Sequence, residues 1–137
     1  MTILNRILLV LLSLLALSGT ASAAGVPLVD PMPILVPAGA DERTVVQAIK
    51  RALVGRDWQV LGEQPGRIDA DINVRNKHNA RIRIDYNERD VQIRYVSSIN
   101  LDYSMHTGSP TIHRNYPRWI NFLLEDIARN LRAGQLQ

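Results

Sequence analysis

The sequence predicts an α+β fold: a two-layer sandwich in which an antiparallel four-stranded meander carries two helices on one face, in the order α-β-β-β-β-α. Two patterns predict it. Between Arg67 and Tyr95 apolar side chains recur at every second position, as Ile68, Ala70, Ile72 and Val74, then Ile82, Ile84 and Tyr86, then Val91, Ile93 and Tyr95. The alternate positions are polar or charged, and period two marks strands with one dry and one wet face. On either side of this region, residues 42–54 and 117–133 repeat apolar residues at helical spacing instead. Two amphipathic helices and a sheet with a single apolar face are buried together when both helices lie on that face. The sizes match, because residues 42–54 make a helix about 20 Å long and an eight-residue strand spans about 26 Å.

Composition narrows the function classes. The chain has 137 residues, 46% of them hydrophobic, which suits one folded domain. It has no cysteine, so structural disulfides, thiolate metal sites, cysteine nucleophiles and lipid attachment through cysteine are excluded. The formal charge is +3, and the cations are arginines except for Lys50 and Lys77. Such a bias follows from a codon bias toward arginine, or from a preference for carboxylate and phosphate groups, which a guanidinium grips with two parallel hydrogen bonds.

Residues 1–23 read as a secretory signal peptide. Arg6 supplies the positive start, Ile7–Leu17 an apolar core broken only by Ser13, and Ala21-Ser22-Ala23 a small-x-small cleavage pattern with the cut after Ala23. A membrane span needs about 20 apolar residues, more than this core offers. The expected location is periplasmic or secreted, with no stable membrane anchor after cleavage, and export argues against nucleic acid as a partner. Residues 24–40 contain Pro27, Pro31, Pro33 and Pro37 and are expected to form an extended arm that lies along the domain or acts as a tether.

Residues 41–137 form the predicted domain. Asp41 caps the first helix, Glu42 suits its positive end, Val45, Val46, Ile49, Ala52 and Leu53 form its apolar stripe, and Gly55 ends it. A short strand follows at Trp58–Gly62, then turn chemistry at Gln64-Pro65-Gly66. Polar breaks at Asn76–Asn79 and Asn87–Asp90 separate the alternating runs. Setting Ile84 opposite Ile93 leaves a tight turn at Glu88-Arg89 and places Arg83 beside Arg94. Setting Val74 opposite Ala80 places Asp71 opposite Arg83. The odd-numbered apolar pattern persists through Ile99, Leu101, Tyr103 and Met105, so the last strand is expected to run on past a bend at Ser97-Ser98 until Thr107-Gly108-Ser109-Pro110 breaks it. Pro117 fits the first turn of the second helix, whose face is Trp119, Ile120, Leu123, Leu124, Ile127 and Leu131, with Phe122 at its edge, an i,i+4 pair between Glu125 and Arg129, and Gly134 at its end.

Two regions are candidates for contact. Arg81, Arg83 and Arg94 share the wet face with Asp69, Asp71 and Asp85, which makes a mixed ion-pair lattice able to meet an anionic ligand or an envelope protein. The other is His106 to Tyr116. His106 and His113 flank the Thr107–Thr111 loop, with Asp102, Ser104 and Ser109 nearby. A Ser-His-Asp set or a metal site can be drawn there, but the spacing matches no zinc signature and a triad is defined by geometry. No catalytic residue, metal ligand or cofactor is therefore assigned. His78 falls in a hairpin turn and is expected to be solvated. In Ile112-His113-Arg114-Asn115-Tyr116, Asn115 is placed to cap the helix and Tyr116 to pack over Trp119 or Ile120. A functional reading makes the same stretch an anion or peptide-end site, with His113 and Arg114 as donors.

Ala48-Ile49, Gly55-Arg56-Asp57-Trp58, Pro65-Gly66-Arg67-Ile68, Ile84-Asp85-Tyr86, Ile93-Arg94-Tyr95, Ser98-Ile99-Asn100-Leu101, Ile112-His113-Arg114-Asn115-Tyr116 and Trp119-Ile120 together resemble a family of small exported bacterial proteins, often lipoproteins, of unassigned function. The resemblance implies an envelope location and no established activity. This chain departs from the lipoprotein members in lacking a cysteine to acylate. The leading expectation is a non-enzymatic periplasmic protein that binds a partner or anionic ligand. The alternatives are an accessory factor of outer-membrane assembly, on layout alone, and a hydrolase using the loop histidines.

Overall fold

The computed structural model describes residues 25–136, so the expected signal peptide and its cleavage site lie outside the described residues. The fold is α+β, with two helices and two antiparallel sheets. The elements are β1 (Val26–Pro27), β2 (Ile34–Leu35), α1 (Glu42–Gly55), β3 (Trp58–Gln64), β4 (Arg67–Val74), β5 (His78–Tyr86), β6 (Asp90–Ile99), β7 (Ser104–His106), β8 (Ser109–Ile112) and α2 (Asn115–Ala133), followed by a short 3-10 turn at Gly134–Leu136. The expected four-stranded meander needs correction. β3 to β6 follow one another across a sheet that gains a fifth strand, in the order β2-β6-β5-β4-β3, and β1, β8 and β7 form a separate sheet of three. β1 and β2 pair with strands far away in sequence, which local periodicity does not encode, whereas β7 and β8 join each other as a local hairpin.

One core joins these parts. Ile68, Ala70 and Ile72 from β4, Ala80, Ile82 and Ile84 from β5, and Val91 and Ile93 from β6 pack with Val45, Ile49 and Leu53 of α1 and with Ile120, Leu123, Ile127 and Leu131 of α2. The stripe on each helix is therefore the buried one. α1 starts as expected, with the Asp41 carboxylate accepting the Thr44 N–H at 2.8 Å and the Thr44 hydroxyl at 2.7 Å. Its end differs. Gly55 is still helical, and the chain turns at Asp57, which takes the left-handed φ of 61° that a short polar side chain tolerates.

The β5–β6 register pairs Ile84 with Ile93 and Arg83 with Arg94, as the alternation suggested. The β4–β5 register is shifted by two residues from the expectation: Val74 faces His78, and Asp69 rather than Asp71 faces Arg83. The cause is a tighter turn at Arg75–Lys77, in which Arg75 (φ 56°) and Asn76 (φ 51°) are left-handed and the Lys77 N–H reaches the Val74 carbonyl. A two-residue shift keeps every side chain on its face, so the arginines still meet carboxylates.

A second correction concerns the end of β6. The ladder pairs Tyr95 with Ile82 but Ser97 with Arg81, so Val96 is an extra residue, a β-bulge. Beyond it the parity is inverted. Ser98 faces Ala80 on the core side, whereas Ile99 faces Asn79 and is 63% exposed. The strand then stops. Asn100 and Asp102 adopt left-handed φ values, Leu101 turns into the core, and the expected break at Thr107–Pro110 is instead a hairpin whose turn residues Thr107 and Gly108 both have positive φ.

The proline-rich arm lies along the domain. Val26 and Pro27 pair with β8, Leu28 N–H donates to the Pro110 carbonyl, Gln92 donates to the Pro31 carbonyl, and Ile34 and Leu35 pair with β6. The Asp30 carboxylate accepts the Tyr95 N–H at 3.0 Å, taking the place of a strand carbonyl on the edge of β6. From Leu28 to Leu35 burial repeats every third residue, as in an extended proline helix: Leu28, Pro31 and Ile34 are half-buried and Val29, Met32 and Leu35 face solvent, after which Val36 and Pro37 are both half-buried.

Candidate functional site

The wet side of the five-stranded sheet is built by alternation and then modified by two bulges. Cross-strand rows set Arg67 beside Asp85, Asp69 beside Arg83 and Arg94, and Asp71 beside Arg81 and Ser97. Asp69 is shared, bonding Arg67 Nε at 3.1 Å and Arg83 Nε at 3.5 Å. Arg94 Nε reaches Asp85 at 3.0 Å, and Arg81 approaches Asp71 no closer than 3.9 Å. Arg67, Arg81, Arg83 and Arg94 therefore outnumber their carboxylates, and Arg83 stands directly beside Arg94 with no carboxylate in the cross-strand position between them. Like charges so placed repel, which favours an added anion. Arg81 and Arg94 leave half of their side chains in water, and ion pairs this exposed are weak and easily exchanged.

Sequence reasoning missed the apolar part of this face. Leu61 is the extra residue of a bulge in β3, between the pairs Val60–Ala70 and Gly62–Asp69. Leu61 and Val96 line a depression of about 300 Å³ together with Gly62, Arg67, Asp69, Arg81 and Arg83. A signal was present in each case: two consecutive apolar residues, Val60-Leu61 and Tyr95-Val96, interrupt a run of period two. Larger open hollows lie beside α1 (about 640 Å³), lined by Arg43, Gln47, Lys50 and Arg51, and around Pro65 and the Asn87–Arg89 turn (about 540 Å³).

The His106–Tyr116 region separates its candidates. His106 is exposed beside the hairpin turn, opposite Ser109, whereas His113 lies past the base of the hairpin, where its N–H donates to Leu101. The two histidines do not face each other. His113 Nδ1 accepts the Asn115 N–H at 3.1 Å, so the histidine, not Asn115, caps α2, and Asn115 is the first helical residue. That bond requires an unprotonated Nδ1, which removes this nitrogen as a donor to an anion. Arg114 is exposed and makes no capping bond through its side chain. Tyr116 is buried edge-on against Tyr95, whose ring stacks on Tyr103, and burial, with Asp30 and Tyr95 nearby, pushes its hydroxyl pKa well up. His78 begins β5 and donates from Nδ1 to the Asn100 carbonyl at 2.7 Å, which ties it to the loop after β6. Among the described residues, no group of three or more His, Asp or Glu is placed to hold a metal ion.

The one buried charge among the described residues is Asp126 on α2. Arg56, just after α1, grips it through Nε at 2.6 Å and a second nitrogen at 3.2 Å, while lying 4.6 Å from the Phe122 ring centroid. Arg129 donates to the same carboxylate, replacing the expected Glu125–Arg129 pair. The Arg56 hydrogen bonds, then the nearby Arg129 charge, hold the Asp126 carboxyl below the usual range against the opposing effect of burial. This triad ties the residue that follows α1 to α2.

Compared with protein families, with curated proteins and with solved structures, the chain matches none. No described helix is long and apolar enough to cross a membrane.

Proposed function

We propose that this chain is a non-enzymatic protein of the cell envelope that binds an anionic partner on the sheet face carrying Arg81, Arg83 and Arg94. In this reading residues 1–23 direct export, the cut follows Ala23, and the product is periplasmic or secreted without an anchor, as in the small exported proteins it resembles. The helices roof the dry side of a two-layer sandwich and leave the arginines to solvent. The observation that carries the reading is the surplus of guanidinium groups, with Arg83 and Arg94 adjacent and Arg81 loosely paired. His113 accepts the Asn115 N–H and Tyr116 is buried against Tyr95, which leaves His106, Arg114 and the Asn115 side chain as the contact groups of the second candidate region.

The test is retention from periplasmic extract on the immobilised chain, in parallel with an Arg81→Glu/Arg83→Glu variant. The expected result is a retained protein that elutes at moderate salt and is lost by the variant, because exposed charge pairs are screened beyond about 8–10 Å at physiological ionic strength. Co-elution of a barrel-assembly component would assign the partner to outer-membrane assembly. Retention untouched by reversing both charges would overturn the reading.

A further inference from the structure

The two bulges stand at one level of the sheet. The β3 bulge at Leu61 borders the pair Val60–Ala70, and the β6 bulge at Val96 borders the pair Tyr95–Ile82. Ala70 and Ile82 are themselves partners across β4 and β5. The extra residues thus flank the same cross-strand row from its two ends. Both side chains are turned outward, 46% exposed for Leu61 and 42% for Val96. A bulge interrupts the ladder and re-aims a side chain. Here two do so toward the depression that holds Arg81 and Arg83. A solvated ion-pair face has no need of either apolar group.

Building on the anionic-partner reading, we propose that this depression receives an extended acidic segment of a partner protein, crossing the strands with an apolar side chain at each end and a carboxylate between them. Geometry sets the spacing. Leu61 and Val96 lie on strands three intervals apart, about 14 Å at roughly 4.8 Å per interval. In an extended chain residues i, i+2 and i+4 share a face, and i to i+4 spans about 13 Å. The segment therefore reads apolar-x-acid-x-apolar. Its central carboxylate meets Arg81 and Arg83, whose contacts to Asp71 (3.9 Å) and to the shared Asp69 (3.5 Å) are the longest ion pairs among the described residues. Both forks therefore have donors to spare. A lipid chain fits less well, because the apolar contacts are two separated points with charges between them rather than one continuous channel.

The experiment titrates the isotope-labelled mature chain with a capped peptide, Thr-Leu-Thr-Glu-Thr-Leu-Thr, and follows its amide resonances. Saturable shifts are expected around Leu61, Arg81, Arg83 and Val96. Affinity is expected to fall at least fivefold when the peptide glutamate becomes glutamine, and at least fivefold for the Leu61→Ser/Val96→Ser protein, whose amide spectrum away from the two sites should match wild type and show that it remains folded, since neither side chain belongs to the buried core. Absence of saturable shifts, or shifts elsewhere, overturns the proposal. If Leu61→Ser/Val96→Ser binds like wild type while Arg81→Glu/Arg83→Glu does not bind, the apolar-flanked segment is refuted and the anionic-partner reading stands. Capture by anionic phospholipid vesicles that depends on Leu61 and Val96, with no peptide binding, refutes the peptide and assigns the face to a membrane surface.

Discussion

Replacing Ile99 by alanine is expected to cost little stability, although the odd-numbered apolar pattern assigns it to the core with Ile93 and Tyr95. The bulge at Val96 turns it outward, to 63% exposure, whereas Ile82 is fully buried at 0%. Full burial of an isoleucine is worth about 1.5–3 kcal/mol, of which Ile99 realises roughly a third and keeps part through its β-carbon, so Ile99→Ala should cost about 0.5 kcal/mol. Ile82→Ala removes the same atoms from the middle of the core and should cost about 2–5 kcal/mol, including the cavity left behind. Urea unfolding measures both, with an unchanged slope showing that only stability has moved. In thermal scans, where each kcal/mol shifts the midpoint by about 4–8 °C in a small domain, the two variants should separate by at least about 6 °C. Equal losses at the two positions would mean that Ile99 is a core residue. The bulge would then be absent, and Val96 would not belong to the outer face.

Two other outcomes follow from the fold. Asp126→Asn should destabilise the chain and flatten its response to acid. The folded carboxyl lies below its unfolded value, so its contribution is fully present above the unfolded value of about 3.9 and is lost as pH falls through the folded one. Stability measured from pH 7 down to pH 2 should fall more steeply for wild type than for the variant, and parallel curves would refute the assignment. Deleting residues 25–36 strips the edge of β6 of β2 and of the Asp30 cap on the Tyr95 N–H. An uncovered strand edge pairs with other chains, so sedimentation should show concentration-dependent self-association, and a strictly monomeric truncated chain would show that the arm does not protect that edge.

What sequence alone determined is what depends on neighbours. Period two sorted Ile68 to Tyr95 into two faces, helical spacing picked the buried stripes of both helices, and Asp41 announced the start of the first through a contact three residues away. The pairing of Ile84 with Ile93 was legible because a short turn leaves few registers that keep both faces intact. The β4–β5 register was not, because shifting a ladder by two residues preserves every face and so leaves no trace in the pattern.

Tertiary structure decided whatever joins distant segments or inserts a single residue. The Arg56–Asp126 clamp spans 70 positions, the arm pairs with strands far along the chain, and the two histidines of one loop part because a hairpin forms between them. The bulges at Leu61 and Val96 belong here too. An extra residue inverts the parity of everything after it, and whether a strand accepts one is settled by the partner strand and the core beneath it, not by the strand's own sequence. Charge on the outer face was thus written in alternation, while the apolar groups beside it were placed only when the sheet closed its ladders.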